Sequence, residues 1–268
     1  MRTRQGKWGL MLLVLVLAVA VIGPLTANSI SAPVGVPGAP PGPGAPLGTD
    51  FLGRDVLSRA LAGGVAILWV SALAVVGTYV LGVGVGTVAG MTSRGWVDQL
   101  LMRGVDLFVA FPPMLLLLVL ITGTGGAAPA VVIGIVLVLF PGVARVTRAA
   151  TLEVSRTGYV EAAVARGERP GGLIVHEVLP NILPTIAADA GVRSPSAVFL
   201  VASLNFLGVG ASPPDANWAL MITENRSVMA TNMLSVLVPA ALLAVLAISV
   251  NLIADAVVQT AGRSGDVA

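Results

Sequence analysis

The sequence predicts an all-α integral membrane protein with about six transmembrane helices, and two observations predict it. Hydrophobic residues make up 56% of the chain against 10% charged, with a mean hydropathy of +0.94, and the apolar residues collect in charge-free runs of the roughly 20 residues that a bilayer demands. Water cannot be the main solvent for such a surface. Aromatic residues are only 4% while glycines number 32, so helices are expected to approach through small residues rather than by interlocking bulky ones.

The first run covers residues 10–27 and follows Arg2, Arg4 and Lys7. A basic start, an apolar stretch and small residues beyond Pro24 also describe a secretory signal peptide, so 1–28 reads as an N-terminal membrane helix or a signal-like segment. Residues 29–59 follow as an external segment, its part 31–46 rich in Pro, Gly and Ala and read as an extended linker. The second run, 60–93, suits one tilted helix. The third, 107–144, is too long for one span; Gly123, Gly125, Gly126 and Pro129 divide it into two joined by a tight hairpin. Phe111, Pro112 and Pro113 should kink or restart the earlier of these. The fifth and sixth runs cover 186–209 and 229–254, which closes a membrane domain at 60–257 and leaves a tail at 258–268.

Arg and Lys stay on the cytoplasmic side of short loops. With both termini cytoplasmic, only Arg54, Arg59 and Arg226 fall outside, so the chain is expected as a multi-pass protein of the cell membrane. Within the fifth span Arg193 follows Asp189 by four residues, a spacing at which the two can pair on one helix face and lower the cost of intramembrane charge.

Composition also excludes chemistry. With no Cys and a single histidine, His176, the chain offers no thiolate or multi-histidine metal site, so no metal is expected. A net charge of +2 with scattered basic residues does not point to nucleic acid. Lys7 is the only lysine and no Gly-rich loop precedes a Lys-Ser or Lys-Thr pair, so the chain should hydrolyse no nucleotide. An intramembrane hydrolase would need paired groups, whereas Asp106, Asp189 and Asp255 stand singly near span ends.

The longest cytoplasmic segment is 145–184, far beyond the roughly 2 to 8 residues of a mere helix connection. Tyr159 to Arg166 reads as a two-turn helix ended by Gly167, with Pro170 preventing continuation. Ala162 and Ala163 have almost no side chain, so another protein's surface can come close, and Glu161 supplies an acceptor for a basic partner. A surface-lying amphipathic helix without a partner is the alternative. His176 and Glu177 are read as solvated or partner-contacting.

Glu161-Ala162-Ala163, then Gly167, then Leu179-Pro180 resembles the EAA loop of ABC importer permeases. The segment from Leu47 to Arg59 resembles the external segment of the C-type subunit of dipeptide, oligopeptide and nickel permeases, and Phe111-Pro112, Phe206 to Gly210 and Asn251 with Asp255 agree. Glu177 departs from the loop pattern, where an apolar residue is usual, and Val201 stands where many relatives have an acidic one. The resemblance implies a type I ABC importer transmembrane domain whose EAA loop forms a coupling helix, with Glu161, Ala162, Ala163, Gly167, Leu179 and Pro180 as ATPase-coupling positions. It implies a permease moving dipeptides or oligopeptides by alternating access, or nickel as the close alternative. The implied partners are membrane lipid, a second homologous permease, two ABC ATPase subunits or domains and an extracytoplasmic solute-binding protein. No cofactor is expected in this chain, ATP-Mg belonging to the partner subunits. Thr49, Asp50, Arg54 and Asp55 would shape the outer mouth or touch the binding protein, or else serve as turns and caps before span two.

Overall fold

The computed structural model describes residues 4–27, 29–211 and 213–265. Arg2, Asn28 and Ser212 lie outside the described residues, as does the end of the expected tail, 266–268. The helices are α1 (Arg4–Thr26), α2 (Val56–Ala62), α3 (Gly64–Met91), α4 (Gly95–Val109), α5 (Pro113–Thr122), α6 (Ala128–Ser155), α7 (Gly158–Ala165), α8 (Pro170–Leu173), α9 (Leu179–Phe206), α10 (Trp218–Glu224) and α11 (Leu234–Gly265). Three isolated bridges are the only β-type pairing among the described residues. Five helical runs are long and apolar enough to cross a membrane, and α4 with α5 makes a sixth if that pair, bent by 84°, counts as one span.

The seam between α3 and α6 shows why glycine is abundant. Gly82, Gly86 and Gly90 follow each other every four residues along α3. A Cβ on them would stand 2.6 Å from Val143 Cβ, 2.5 Å from the Ala144 carbonyl oxygen and 2.7 Å from Thr151 Cβ respectively. Small residues at this spacing form one face on which backbones meet, which is how helices associate where lipid removes the hydrophobic incentive.

Two elements differ from the sequence expectation, the second span and the segment 29–55. The second span is broken at Gly63, because the Trp218 indole packs over Gly63 and Gly64 and donates from Nε1 to the Ala60 carbonyl at 2.6 Å. The third span is bent where Phe111, Pro112 and Pro113 are expected to kink or restart it, between α4 and α5. Pro112 and Pro113 restart it, since neither can donate the backbone hydrogen bonds that would carry α4 through. The α4 portion is held to α6 by Arg148, which donates from Nε and Nη2 to Asp98.

The segment 29–55 is no loose linker. Thr49 Oγ1 donates to the Val36 carbonyl and accepts from Ala39 N–H, closing a tight fold back on itself, and Asn232 Nδ2 donates to the carbonyls of Leu47 and Thr49. This cap sits on α10 and the start of α11. The opposite end of the bundle carries the starts of α1, α4 and α9 and the ends of α3, α6 and α11, where Gln259 Nε2 donates to Gln5 Oε1 at 2.9 Å.

Candidate coupling loop

The non-helical part of the segment between α6 and α9 is much shorter than the sequence suggests. The α6 helix runs on to Ser155, and from Pro170 the chain is helical without interruption to Phe206. Thr157 begins the turn into α7, its hydroxyl donating to the Val154 carbonyl at 2.6 Å. The α7 helix closes in a Schellman turn: Gly167 N–H donates to the Val164 carbonyl at 2.9 Å and Glu168 N–H to the Ala163 carbonyl at 3.2 Å. Gly167 takes φ +82° there, the left-handed conformation expected of it. A Cβ at this position would meet nothing within 4 Å, so its requirement for glycine is purely conformational.

The two faces of α7 are distinct. Val160 and Ala163 are buried at 2% and 0% exposure against the chain's own helices. Ala163 is therefore not a surface for a partner; its missing bulk lets α7 lie close to its own bundle. Glu161, Ala162, Val164 and Ala165 face outward, with Tyr159 beside them. Tyr159 and Val164 are large exposed apolar side chains on this face, and the sequence reading passed over them.

Leu179 and Pro180 are not loop residues. They stand at the start of α9, inside the continuous helical run from Pro170 to Phe206. Before them Ile174–Val178 forms a π-helical turn, a wide joint between α8 and α9. His176 is exposed within it, its Nδ1 3.1 Å from the Gly172 carbonyl oxygen. Thus α7 hangs between α6 and the continuous helical run that begins at Pro170.

At the other end, Thr49, Asp50, Arg54 and Asp55 are brought together but are all buried, at 1%, 0%, 2% and 3% exposure. They offer no surface to a binding protein. Asp55 caps α2, accepting from Leu57 and Ser58 N–H. Asp50 accepts from Arg54 Nε at 2.6 Å and Arg59 Nη1 at 3.1 Å, and Arg59 Nη2 reaches Glu224 at 2.9 Å. The four charges tie the cap to α10. Burial pushes the Glu224 carboxyl up to about 6, against the pull of Arg54, with the negative charge of Asp50 adding to the rise.

Comparison with known proteins agrees with this architecture. The family described as binding-protein-dependent transport system inner membrane component matches residues 82–263. A putative peptide transport system permease protein of Brucella suis is 32% identical over 95% of this chain and 86% of its own length. The dipeptide transport system permease protein DppC of Alkalihalophilus pseudofirmus is 30% identical over 92% and 82%. Among solved structures, the inward-facing MetNI methionine ABC transporter superposes with a TM-score of 0.61 at 20% identity, over 76% of this chain and 96% of that one, and so shares the fold. A multi-pass helical chain with a loop-borne surface helix, matched over most of its length, is a transport permease: the protein belongs to the family of binding-protein-dependent transport system inner membrane components.

Proposed function

We propose that this chain is a permease subunit of an ATP-driven importer that carries dipeptides or oligopeptides across the cytoplasmic membrane by alternating access. The observation that carries the reading is α7: a short helix closed by a Schellman turn, with an outward face of Tyr159, Glu161, Ala162 and Val164, joined directly to α6 and through α8 to α9. Such an element converts displacement of a docked partner into a rocking of the bundle. The partners are two ABC ATPase subunits or domains, one of them docked at α7, a second homologous permease beside the bundle and an extracytoplasmic solute-binding protein at the opposite end. ATP-Mg is bound by the ATPases, and this chain, whose one lysine is Lys7, performs no hydrolysis. Both termini and α7 face the cytoplasm, as the distribution of arginine supports. The peptide cargo, preferred over nickel, follows the names of the Brucella and Alkalihalophilus relatives.

The test is uptake of a radiolabelled dipeptide and a labelled pentapeptide by cells with and without this chain, its partners present in both. Uptake that disappears with the chain and returns with it is the expected result. Normal peptide uptake in its absence, or restored nickel uptake instead, contradicts the assignment.

A further inference from the structure

The interior of the bundle holds a guanidinium, that of Arg193, of whose five N–H donors only the one on Nε is engaged. Arg193 on α9 donates from Nε to both carboxylate oxygens of Asp189, each at 2.8 Å, and Tyr79 on α3 donates its hydroxyl to Asp189 at 2.7 Å. Asp189 thus takes the inner edge of the fork only. Among the described residues no acceptor lies within hydrogen-bond distance of Nη1 or Nη2, although the Arg193 side chain is just 28% exposed. Arginine presents its donors as a planar fork matched to carboxylate, and an intramembrane charge with unmet donors is costly unless something supplies the acceptor.

The protein builds a seat for this group. The guanidinium packs against Gly142 of α6, where a Cβ would collide with Cζ and both Nη atoms, so any larger residue would displace it. Both helices that form the seat also wall a cavity of about 600 Å³, lined by Val138, Leu139, Ser196, Phe199, Leu243 and Asn251 among others. Val138 precedes Gly142 by four residues on α6, and Leu200, a further lining residue, follows Arg193 by seven on α9. At those spacings the residues share a helix face, which puts the Arg193 seat within about one to two helical turns of residues that line this apolar cavity.

We propose that this chamber with Arg193 is a binding point for a short peptide inside the permease, the free Nη edge taking the peptide's C-terminal carboxylate and the apolar walls taking a side chain. The inference rests on the peptide reading above. Asp189 and Tyr79 are positioning residues, which hold the fork without touching the ligand. Gly142 provides the room.

The test exploits the absence of native cysteine in this chain. A Ser196→Cys variant is placed in the complete membrane complex with the binding protein left out, so that selectivity comes from the membrane part alone. Labelling of this chain by a small thiol reagent is then timed with the dipeptide Ala-Phe, with its C-terminal amide, or with neither. Free Ala-Phe at millimolar concentration should slow labelling at least fivefold and the amide less than twofold. Adding Arg193→Gln or Gly142→Ala should remove the protection, and Arg193→Lys should keep part of it, in complexes that still retain their ATPase subunits. Equal protection by acid and amide, no protection by either, or protection that survives Arg193→Gln overturns the site. So does labelling indifferent to peptide but accelerated by removing anionic lipid, which would assign the guanidinium to a headgroup. Loss of the site with peptide uptake intact leaves the functional reading standing; loss of peptide uptake itself removes both.

Discussion

Glu224 is the residue whose environment makes the clearest claim. Its carboxyl, at about 6, lies above the value of 4.5 it has when exposed. Between those two values the folded protein holds a proton that the unfolded chain releases, so stability is greatest below pH 4.5 and falls as pH rises through 6. After allowance for solvent screening, the loss is on the order of 1 kcal/mol. Thermal unfolding midpoints at pH 4.5 and 6.5 should therefore fall more in the wild type than in Glu224→Gln, which cannot titrate. Parallel profiles for the two proteins would contradict the burial of this group. Local punctuation was legible at this scale: Gly167 before Pro170 marks a helix end, and the turn is where that spacing puts it. The fates of Asp50 and Arg54 were not legible. The partner that buries Arg54, Glu224, lies 170 residues away, and Asp, Arg and Thr near glycines read equally well as an exposed mouth.

Among elements, the α3–α6 seam is the most demanding. A side chain at Gly86 meets a carbonyl oxygen of the facing helix, and backbone cannot swing aside as a side-chain tip can. Gly86→Val should cost about 1–3 kcal/mol, and Gly84→Val, where a Cβ meets nothing within 4 Å, much less. The melting temperatures of the two detergent-purified variants decide this, and equal losses would show that the seam is not the contact described. The apolar runs made every long helix visible, because lipid imposes both length and composition. Their breaks were harder. Gly63 interrupts a run with no charge in it, and only the Trp218 indole, from the far half of the chain, shows why. The reach of α6 to Ser155 was hidden by its arginines, which read as loop until Asp98 and Asp106 supply their partners on α4.

For the whole molecule, the alternation of helices places α7, the start of α1 and the end of α11 at one end and the folded cap at the other. Thr49 and Asn217 would be obvious reporters from sequence, yet both are buried and would stay silent. Val36, 74% exposed on the cap, and Ala165 on the outer face of α7 serve instead. A cysteine replacing Val36 should react with an impermeant thiol reagent in intact cells and one replacing Ala165 only after lysis; the reverse pattern would invert the orientation.

The central claim is that α7 passes the work of a partner ATPase into the bundle. At φ +82° valine is strongly disfavoured, with strain of roughly 1–3 kcal/mol, whereas alanine tolerates the conformation better. The site lies in a loop, so membrane insertion should be unaffected while the angle of α7 changes. The measurement is peptide-stimulated ATP hydrolysis by the reconstituted complex, at matched permease levels, for wild type, Gly167→Ala and Gly167→Val. The account predicts a modest loss for alanine and a loss of at least tenfold, or failure of the ATPase subunits to co-purify, for valine. A Gly167→Val complex that keeps its ATPase subunits and full stimulated hydrolysis would contradict it.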